Sequence, residues 1–308
     1  MLYDKLKMYS ESGVYPFHMP GHKRNPMLCD GIMPYEIDLT EIDGFDNLHN
    51  AESCILEVQN LAEKLYNVKK AFLLVNGATG GILSAVRAMT DRGDKVIVAR
   101  NSHKSVYNAL ELCGLTPKYI VPKVDKEFGI NCSITPLQAE KAIRENPDAK
   151  LLIITSPTYE GAVSDIKEIS RIAHLHNVSV LVDEAHGAHF PFSDSFPVEA
   201  IQCGADVAVA SLHKTLPSLT QTALLLTSNE ELINPLVENL AIFETSSPSY
   251  VFMSSIEKCL DFCKNTKAFD EYIIRLNSFD EKCRELKNIK VLCCGNDNIK
   301  NCLLYTSP

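Results

Sequence analysis

Residues 151–182 read LLIITSPTYEGAVSDIKEISRIAHLHNVSVLV. Leu151 to Thr155 and Val178 to Val182 are short aliphatic runs, the length and composition of strands buried on both faces. Between them, Asp165 to His176 sets Ile166, Ile169, Ile172 and Ala173 on one face of a helix. Strand, amphipathic helix and strand make a βαβ unit, and a chain of such units forms a mostly parallel sheet covered by helices.

The same alternation extends outward from Lys70 to about Leu240. Further strands are expected at Ala71 to Val75, Lys95 to Ala99, Lys118 to Val121, Val207 to Ala210 and Ala223 to Thr227. Gly80 to Met89 is expected as a helix. Thr135-Pro136-Leu137-Gln138 combines a capping box with proline at the first helical position, and Asn146-Pro147 would end the helix it opens. The fold class is therefore α/β: three layers, α/β/α, around a mostly parallel seven-stranded sheet.

Residues 1–68 are rich in Pro, Gly, Asp and His, carry helical spacing only from Ser53 to Tyr66, and read as an N-terminal segment wrapping the sheet. Residues 69–250 read as the large, sheet-bearing domain and 251–308 as the start of a smaller C-terminal one. There, Ile256 to Asn265 and Ala268 to Leu286 are expected as helices and Lys290 to Cys293 as the beginning of a strand. Cys302 to Pro308 close no element, so the expectation is a C-terminal domain cut short.

Composition narrows the class. With 308 residues, 45% hydrophobic, 22% charged, 14 Gly and 15 Pro, the chain is neither collagen-like, low-complexity nor wholly disordered. No window approaches the ~18 apolar residues of a membrane helix. Met1-Leu2-Tyr3-Asp4-Lys5 places charge where a signal peptide is apolar, so a cytoplasmic protein without a membrane partner is expected. A net charge of -9 argues against a nucleic-acid partner. The 11 cysteines contain no C-x-x-C and read as reduced, mostly buried thiols; adjacent Cys293 and Cys294 are poorly placed to bridge each other.

In open parallel sheets, ligands bind beyond the carboxyl ends of the strands. Four polar stretches fall there. Asn76-Gly77-Ala78-Thr79-Gly80-Gly81 joins a strand to a helix, where glycines admit an anion and the helix N-terminus offers unpaired N–H groups. It lacks the endings of a nucleotide-triphosphate or dinucleotide loop. Asn101-Ser102-His103-Lys104-Ser105 offers His103 as a flat ring that could stack. Asp183-Glu184-Ala185-His186-Gly187-Ala188-His189 places a carboxylate at the end of an apolar strand, where it needs a cationic partner. The H-x-x-H within it lacks helical ligand spacing and a third nitrogen, so no metal is expected. Ala210-Ser211-Leu212-His213-Lys214-Thr215 sets a lysine directly behind a strand, a setting suited to a lowered pKa and imine chemistry. An anion loop, a stacking ring, a buried carboxylate and a lysine together match pyridoxal 5'-phosphate, which has a phosphate, a flat ring, a ring nitrogen and an aldehyde.

These stretches resemble the fold type I pyridoxal-phosphate enzymes, and more narrowly the Orn/Lys/Arg decarboxylase family in its compact form without an N-terminal wing. The narrowing rests on Phe17-His18-Met19-Pro20-Gly21-His22-Lys23, Asp38-Leu39-Thr40-Glu41, Gly44-Phe45-Asp46-Asn47-Leu48-His49, Asp183-Glu184-Ala185-His186-Gly187 and Ser211-Leu212-His213-Lys214 with Thr220-Gln221. Pro217 departs from the small residue usual near the lysine. The resemblance implies an aspartate aminotransferase-like large domain and decarboxylation of lysine, arginine or ornithine, a step toward polyamines. It implies that Lys214 links to the cofactor aldehyde, Asp183 pairs with the ring nitrogen and His103 stacks on the ring. Ala78, Thr79 and Gly80, with Ser211 and His213, would hold the phosphate; Ala185 would pack on the opposite face with His186 close by. Thr245-Ser246-Ser247-Pro248 would reach a neighbouring subunit's cofactor, implying a homodimer or higher oligomer. His18 and His22 would sit near the cofactor mouth, His174 and His176 on a helix surface, and His49 has no assigned role. An aminotransferase, a lyase or a non-catalytic cofactor-binding fragment shares the fold and stays open at this point.

Overall fold

The computed structural model describes residues 1–18, 20, 22–25, 33–283 and 285–287. In chain order the elements are α1 (Leu2–Glu11), α2 (Cys54–Tyr66), β1 (Lys70–Leu74), α3 (Gly77–Ala88), β2 (Lys95–Ala99), α4 (Lys104–Cys113), β3 (Thr116–Ile120), β4 (Val124–Asp125), β5 (Ile130–Asn131), α5 (Pro136–Glu145), β6 (Ala149–Thr155), α6 (Ile166–Leu175), β7 (Ser179–Asp183), β8 (Val207–Ser211), α7 (Leu212–Thr215), β9 (Ala223–Thr227), α8 (Glu230–Phe243), α9 (Tyr250–Cys263) and α10 (Thr266–Cys283). A single 3-10 turn spans Phe190–Phe192.

The seven-stranded sheet has the order β1-β9-β8-β7-β6-β2-β3. β9 runs antiparallel to both β1 and β8, while the pairs from β8 through β3 are parallel. Alternate residues of the central strands point to opposite faces. Ala71, Leu73, Val180, Val182, Ala208 and Ala210 pack with α1, α2, α5, α6 and α9, whereas Phe72, Leu74, Leu181, Val207 and Val209 pack with α3, α4 and α8. Burial on both faces is why these strands read as unbroken apolar runs, and it makes the three expected layers.

All seven expected strands are present, with ends displaced by up to two residues. The sixth helix has Asp165 as N-cap, accepting from the Glu168 N–H, and ends at His176. Its surface histidine, His174, pairs with Asp206 at 2.9 Å. The capping box of α5 forms with both reciprocal hydrogen bonds, Gln138 N–H to Thr135 Oγ1 and Thr135 N–H to Gln138 Oε1. The first 68 residues hold a second helix, α1, that helical spacing did not single out. Only Leu2 and Leu6 are buried on it, too few anchors to mark a stripe. The helix expected from Gly80 begins at Gly77, and that expected from Ile256 begins at Tyr250. The strand expected from Lys290, the Cys293-Cys294 pair, the terminal 302–308 and the motif residues Met19 and Gly21 lie outside the described residues.

The N-terminal segment is locked on by Asp46, which also explains its motif. The carboxylate accepts backbone N–H bonds from Glu52, Ser53 and Ile55 at 2.8 to 2.9 Å, anchoring the start of α2. Burial works to raise its pKa, but these donors hold the carboxyl below the ordinary range. The Asp46 carbonyl in turn accepts from the Tyr250 hydroxyl, and α9 packs in the same apolar cluster as α1 and α2. The seven described cysteines are unpaired thiols.

Candidate functional site

β1, β2, β7 and β8 end on the same side of the sheet, and their following residues enclose a cavity of about 280 Å³. Ala78, Thr79, His103, Asp183, Ala185, Ser211, His213 and Lys214 all line it, although 136 positions separate Ala78 from Lys214 in sequence (214 less 78). His186 joins them through Lys214, whose Nζ donates to His186 Nε2 at 3.2 Å. Gly80 stands apart. It does not line the cavity, and a Cβ there would lie 2.7 Å from Oε1 of Glu244 and 3.2 Å from the Cβ of Asn76.

The floor is Asp183, the last residue of β7, only 3% exposed. Its carboxylate accepts from the Ala185 N–H at 3.2 Å. Burial raises its pKa above the carboxylate range, with Lys214, the Ala185 N–H and His103 pulling it back. A desolvated carboxylate this poorly supplied with donors suits a cationic ring nitrogen. Lys214 projects from α7, the single turn after β8. Withdrawal from water lowers its ammonium pKa, and the Asp183 charge opposes that shift.

His186 is pushed down to about 4, first by burial and then by the positive charges of Lys214, His103 and His213. The ring is therefore neutral at pH 7 and accepts the lysine proton. His103 caps α4: its Nδ1 accepts from the Ser105 N–H at 3.2 Å, leaving Nε2 to carry the proton in the neutral ring. His213 has the opposite arrangement, since Nδ1 donates to the Thr222 carbonyl at 3.0 Å.

At the far end, α3 opens beneath the cavity. Gly77 takes φ +72°, a conformation that favours glycine, and its N–H donates to the Gln221 carbonyl at 2.9 Å. The first-turn N–H groups of Ala78 and Thr79 are left for an anion. Ser211 Oγ is buried with no protein partner, an orphan beside the same cavity. Anion seat, orphan hydroxyl, carboxylate floor and amine fit the phosphate, ring nitrogen and aldehyde of pyridoxal phosphate.

Asn76, Ser105, Thr220 and Gln221, which the motifs contain without an assigned role, also line the cavity, and Glu244, which the sequence reading missed, supports it from behind. Its Oε2 accepts from the N–H groups of Val75 and Asn76, each at 3.2 Å. The second member of the Asp-Glu-Ala-His loop also has its own brace: Glu184, 2% exposed, accepts from the Ala200 N–H at 3.0 Å. Burial, then the neighbouring Glu199 carboxylate, drives the Glu184 carboxyl well up.

The remaining histidines lie elsewhere. His18 meets the Tyr9 hydroxyl at 2.8 Å, and His22 stacks on Tyr35 while contacting Asp38 at 3.2 Å. Neither lines the cavity at Lys214. His49 meets the Thr245 carbonyl at 2.9 Å, and His189 packs edge-on against Phe190 and Phe196. Ser247, Pro248 and Ser249 line a separate hollow with Asp38, Thr40 and Glu41, so two of the motifs meet in space. Another cavity, about 220 Å³, lies against β1 and holds none of the four catalytic candidates. Among the described residues no three His, Cys, Asp or Glu side chains gather as a metal site, and no helix is long and apolar enough to cross a membrane.

Residues 1–302 match the family model described as Orn/Lys/Arg decarboxylase, major domain. The chain is 36% identical over 296 residues to the uncharacterized protein YaaO of Bacillus subtilis (strain 168), covering 94% of this chain and 60% of that one. It is 38% identical over 263 residues to an arginine decarboxylase of the same organism, covering 83% of this chain and 54% of the relative. It thus spans somewhat over half the length of these relatives. Among solved structures, the Francisella novicida lysine decarboxylase LdcF shares the fold with a TM-score of 0.84 at 20% identity, over 92% of this chain and 43% of that one.

Proposed function

The chain belongs to the Orn/Lys/Arg decarboxylase family, and on that premise we propose that it removes the α-carboxyl group of a basic amino acid as carbon dioxide, using pyridoxal phosphate held at Lys214. The observation that carries this reading is the meeting of Asp183, Lys214 and the start of α3 around one cavity.

Bound there, pyridoxal phosphate supplies an electron sink for the pair released when the bond from Cα to the carboxylate breaks. The protein's own groups do the rest. Asp183 holds a positive charge on the ring nitrogen, and the low-dielectric floor strengthens that pairing. Ala78 and Thr79 N–H groups, Ser211 Oγ and His213 take the phosphate; His213 needs both ring protons to donate to it, since Nδ1 is already engaged with Thr222. His103 covers one face of the ring and Ala185 the other. Lys214 would provide the amine that holds the cofactor, and His186, neutral, accepts a hydrogen bond from it.

Arginine is the first substrate to assay, because the named relatives at 35–38% identity are arginine decarboxylases. The functional unit is a homodimer in the cytoplasm, with Thr245 to Pro248 directed to the neighbouring subunit. Borohydride reduction followed by peptide mapping tests the site: a reduced cofactor adduct in Lys214→Ala protein overturns the lysine assignment. Incubation with arginine, lysine and ornithine while following carbon dioxide tests the reaction, and keto-acid formation without carbon dioxide overturns it in favour of an aminotransferase.

A further inference from the structure

α8 ends where the cofactor cavity's anion seat begins, and the two are stitched together by three hydrogen bonds. Glu244 Oε2 accepts from the backbone N–H groups of Val75 and Asn76, each at 3.2 Å, and Asn76 Nδ2 donates to the Phe243 carbonyl at 3.1 Å. Val75 and Asn76 are the link from β1 into α3, and Asn76 itself lines the cavity at Lys214. Two backbone donors therefore meet a side chain 169 and 168 residues away, in a buried setting where leaving them unpaired is costly.

The other carboxylate oxygen is unexplained by any such pairing. Oε1 is buried without a hydrogen-bond partner, and it rests where a Cβ at Gly80 would fall, 2.7 Å away. Glu244 thus fixes the link through one oxygen and presses on the first turn of α3 through the other. Gly80 has no left-handed backbone requirement, so its missing side chain answers to this contact.

We propose that Glu244 is a positioning residue for the anion seat, acting through Val75, Asn76 and Gly80 to set where the N–H groups of Ala78 and Thr79 point. This rests on the reading that pyridoxal phosphate binds at Lys214. The carboxylate never touches the cofactor; it stands behind the turn and determines its register. Nothing in the arrangement requires a negative charge, only an oxygen acceptor of the right reach. Glutamine is therefore expected to substitute for it, and alanine is not.

The test measures the dissociation constant for pyridoxal phosphate by its visible absorbance on the purified full chain. Glu244→Ala weakens binding about tenfold, the equivalent of roughly one buried hydrogen bond, while Glu244→Gln stays within about threefold of the parent. Gly80→Ala, which helix propensity alone would favour, weakens binding to a degree similar to Glu244→Ala, because the new methyl displaces Oε1. The double variant Gly80→Ala with Glu244→Ala is much less weakened than the product of the two single effects, since truncation removes the 2.7 Å contact with Oε1 and leaves only the milder one with Asn76 Cβ at 3.2 Å. Parent-like binding by both single variants overturns the proposal, as does a double variant that loses the product of the two effects. If Glu244→Ala does not fold, Gly80→Ala decides alone, and parent-like binding by it overturns the proposal. Failure of the parent protein to bind pyridoxal phosphate overturns instead the cofactor reading on which this rests.

Discussion

Nζ of Lys214 stands 3.2 Å from Nε2 of His186, and the ring is the acceptor because burial and the neighbouring positive charges, which push its pKa down to about 4, keep it neutral with a lone pair on Nε2. The contact ties the turn after β8 to the loop after β7. It also gives the lysine a neutral neighbour for its proton in a site already holding the Asp183 carboxylate. A charged ring there would repel the ammonium and compete with it for Asp183.

The His186 environment predicts a pH dependence of stability. Between the ordinary histidine value of 6.5 and about 4 the unfolded chain binds a proton that the folded one refuses, so stability falls as pH drops through that window. The contribution is at most about 3 kcal/mol. Urea unfolding of His186→Gln against the parent at pH 8 and pH 5 checks it: the variant's midpoint falls less on acidification. His186→Ala, lacking any acceptor for Lys214, lowers kcat by about 10²-fold.

Asp183→Asn separates stability from function. Burial already holds the carboxyl above its ordinary range, and Lys214 and His103 offset that only in part, so ionising it destabilises the cofactor-free chain. Asparagine removes that burden, and the cofactor-free variant melts at or above the parent's temperature at pH 8. Loss of the ring-nitrogen partner nonetheless lowers decarboxylase turnover by about 10³-fold. Thermal unfolding and a carbon dioxide assay on the same preparation check both halves.

Glu244 gives a slope of opposite sign to His186. Burial pushes its carboxyl up to about 7 despite the Val75 and Asn76 donors, so the folded chain holds a proton that the unfolded one has released between 4.5 and 7. Stability from this group is full below 4.5 and declines as pH rises through 7. Glu244→Gln keeps an acceptor and has no charge to bury. It should be more stable than the parent at pH 8 by about 1 to 3 kcal/mol and nearly equal at pH 4.5, measured by urea midpoints.

Gly187→Ala strikes the loop carrying Ala185 and His186. A Cβ at this position would lie 2.5 Å from Glu184 Cγ and 3.0 Å from the Phe190 ring. Glu184 is buried and tied to the Ala200 N–H, so it has little room to give. Stability falls by about 1 to 3 kcal/mol, as overpacking generally costs. The near-ultraviolet signal of bound pyridoxal phosphate changes with it, which an unrelated surface substitution would not produce.

Legibility in the sequence followed the range of the forces involved. Six of the seven strands stand out because burial on both faces leaves unbroken aliphatic runs, whereas β3 is an edge strand with only Ile120 buried; the α5 capping box is written within four residues, Thr135 to Gln138. α1 was missed because two leucines are its only buried residues, and α8 is interrupted by Pro235. The two-residue strands β4 and β5 are too short to carry a period. At the site, Asp183, Lys214, His103 and the residues after Asn76 were visible because each directly follows a strand. The glycine-rich turn makes Gly80 legible as part of an anion loop, but its close approach to Glu244, a side chain more than 160 residues onward, is not. No local pattern encodes that contact.

The strand order acts as a ruler. Neighbouring strands are about 4.8 Å apart. β7 and β8 adjoin, so Asp183 lies one spacing from its partner Val209, with Ser211 two residues further along β8, while β9 intervenes between β8 and β1 and puts the anion seat two spacings, about 10 Å, from the lysine's strand. β6 likewise separates β7 from β2, which carries His103 at its end. The dimensions of the bound molecule are thus written into the count of intervening strands. Lengthening a loop leaves that measure unchanged, and only reshuffling the sheet would alter it.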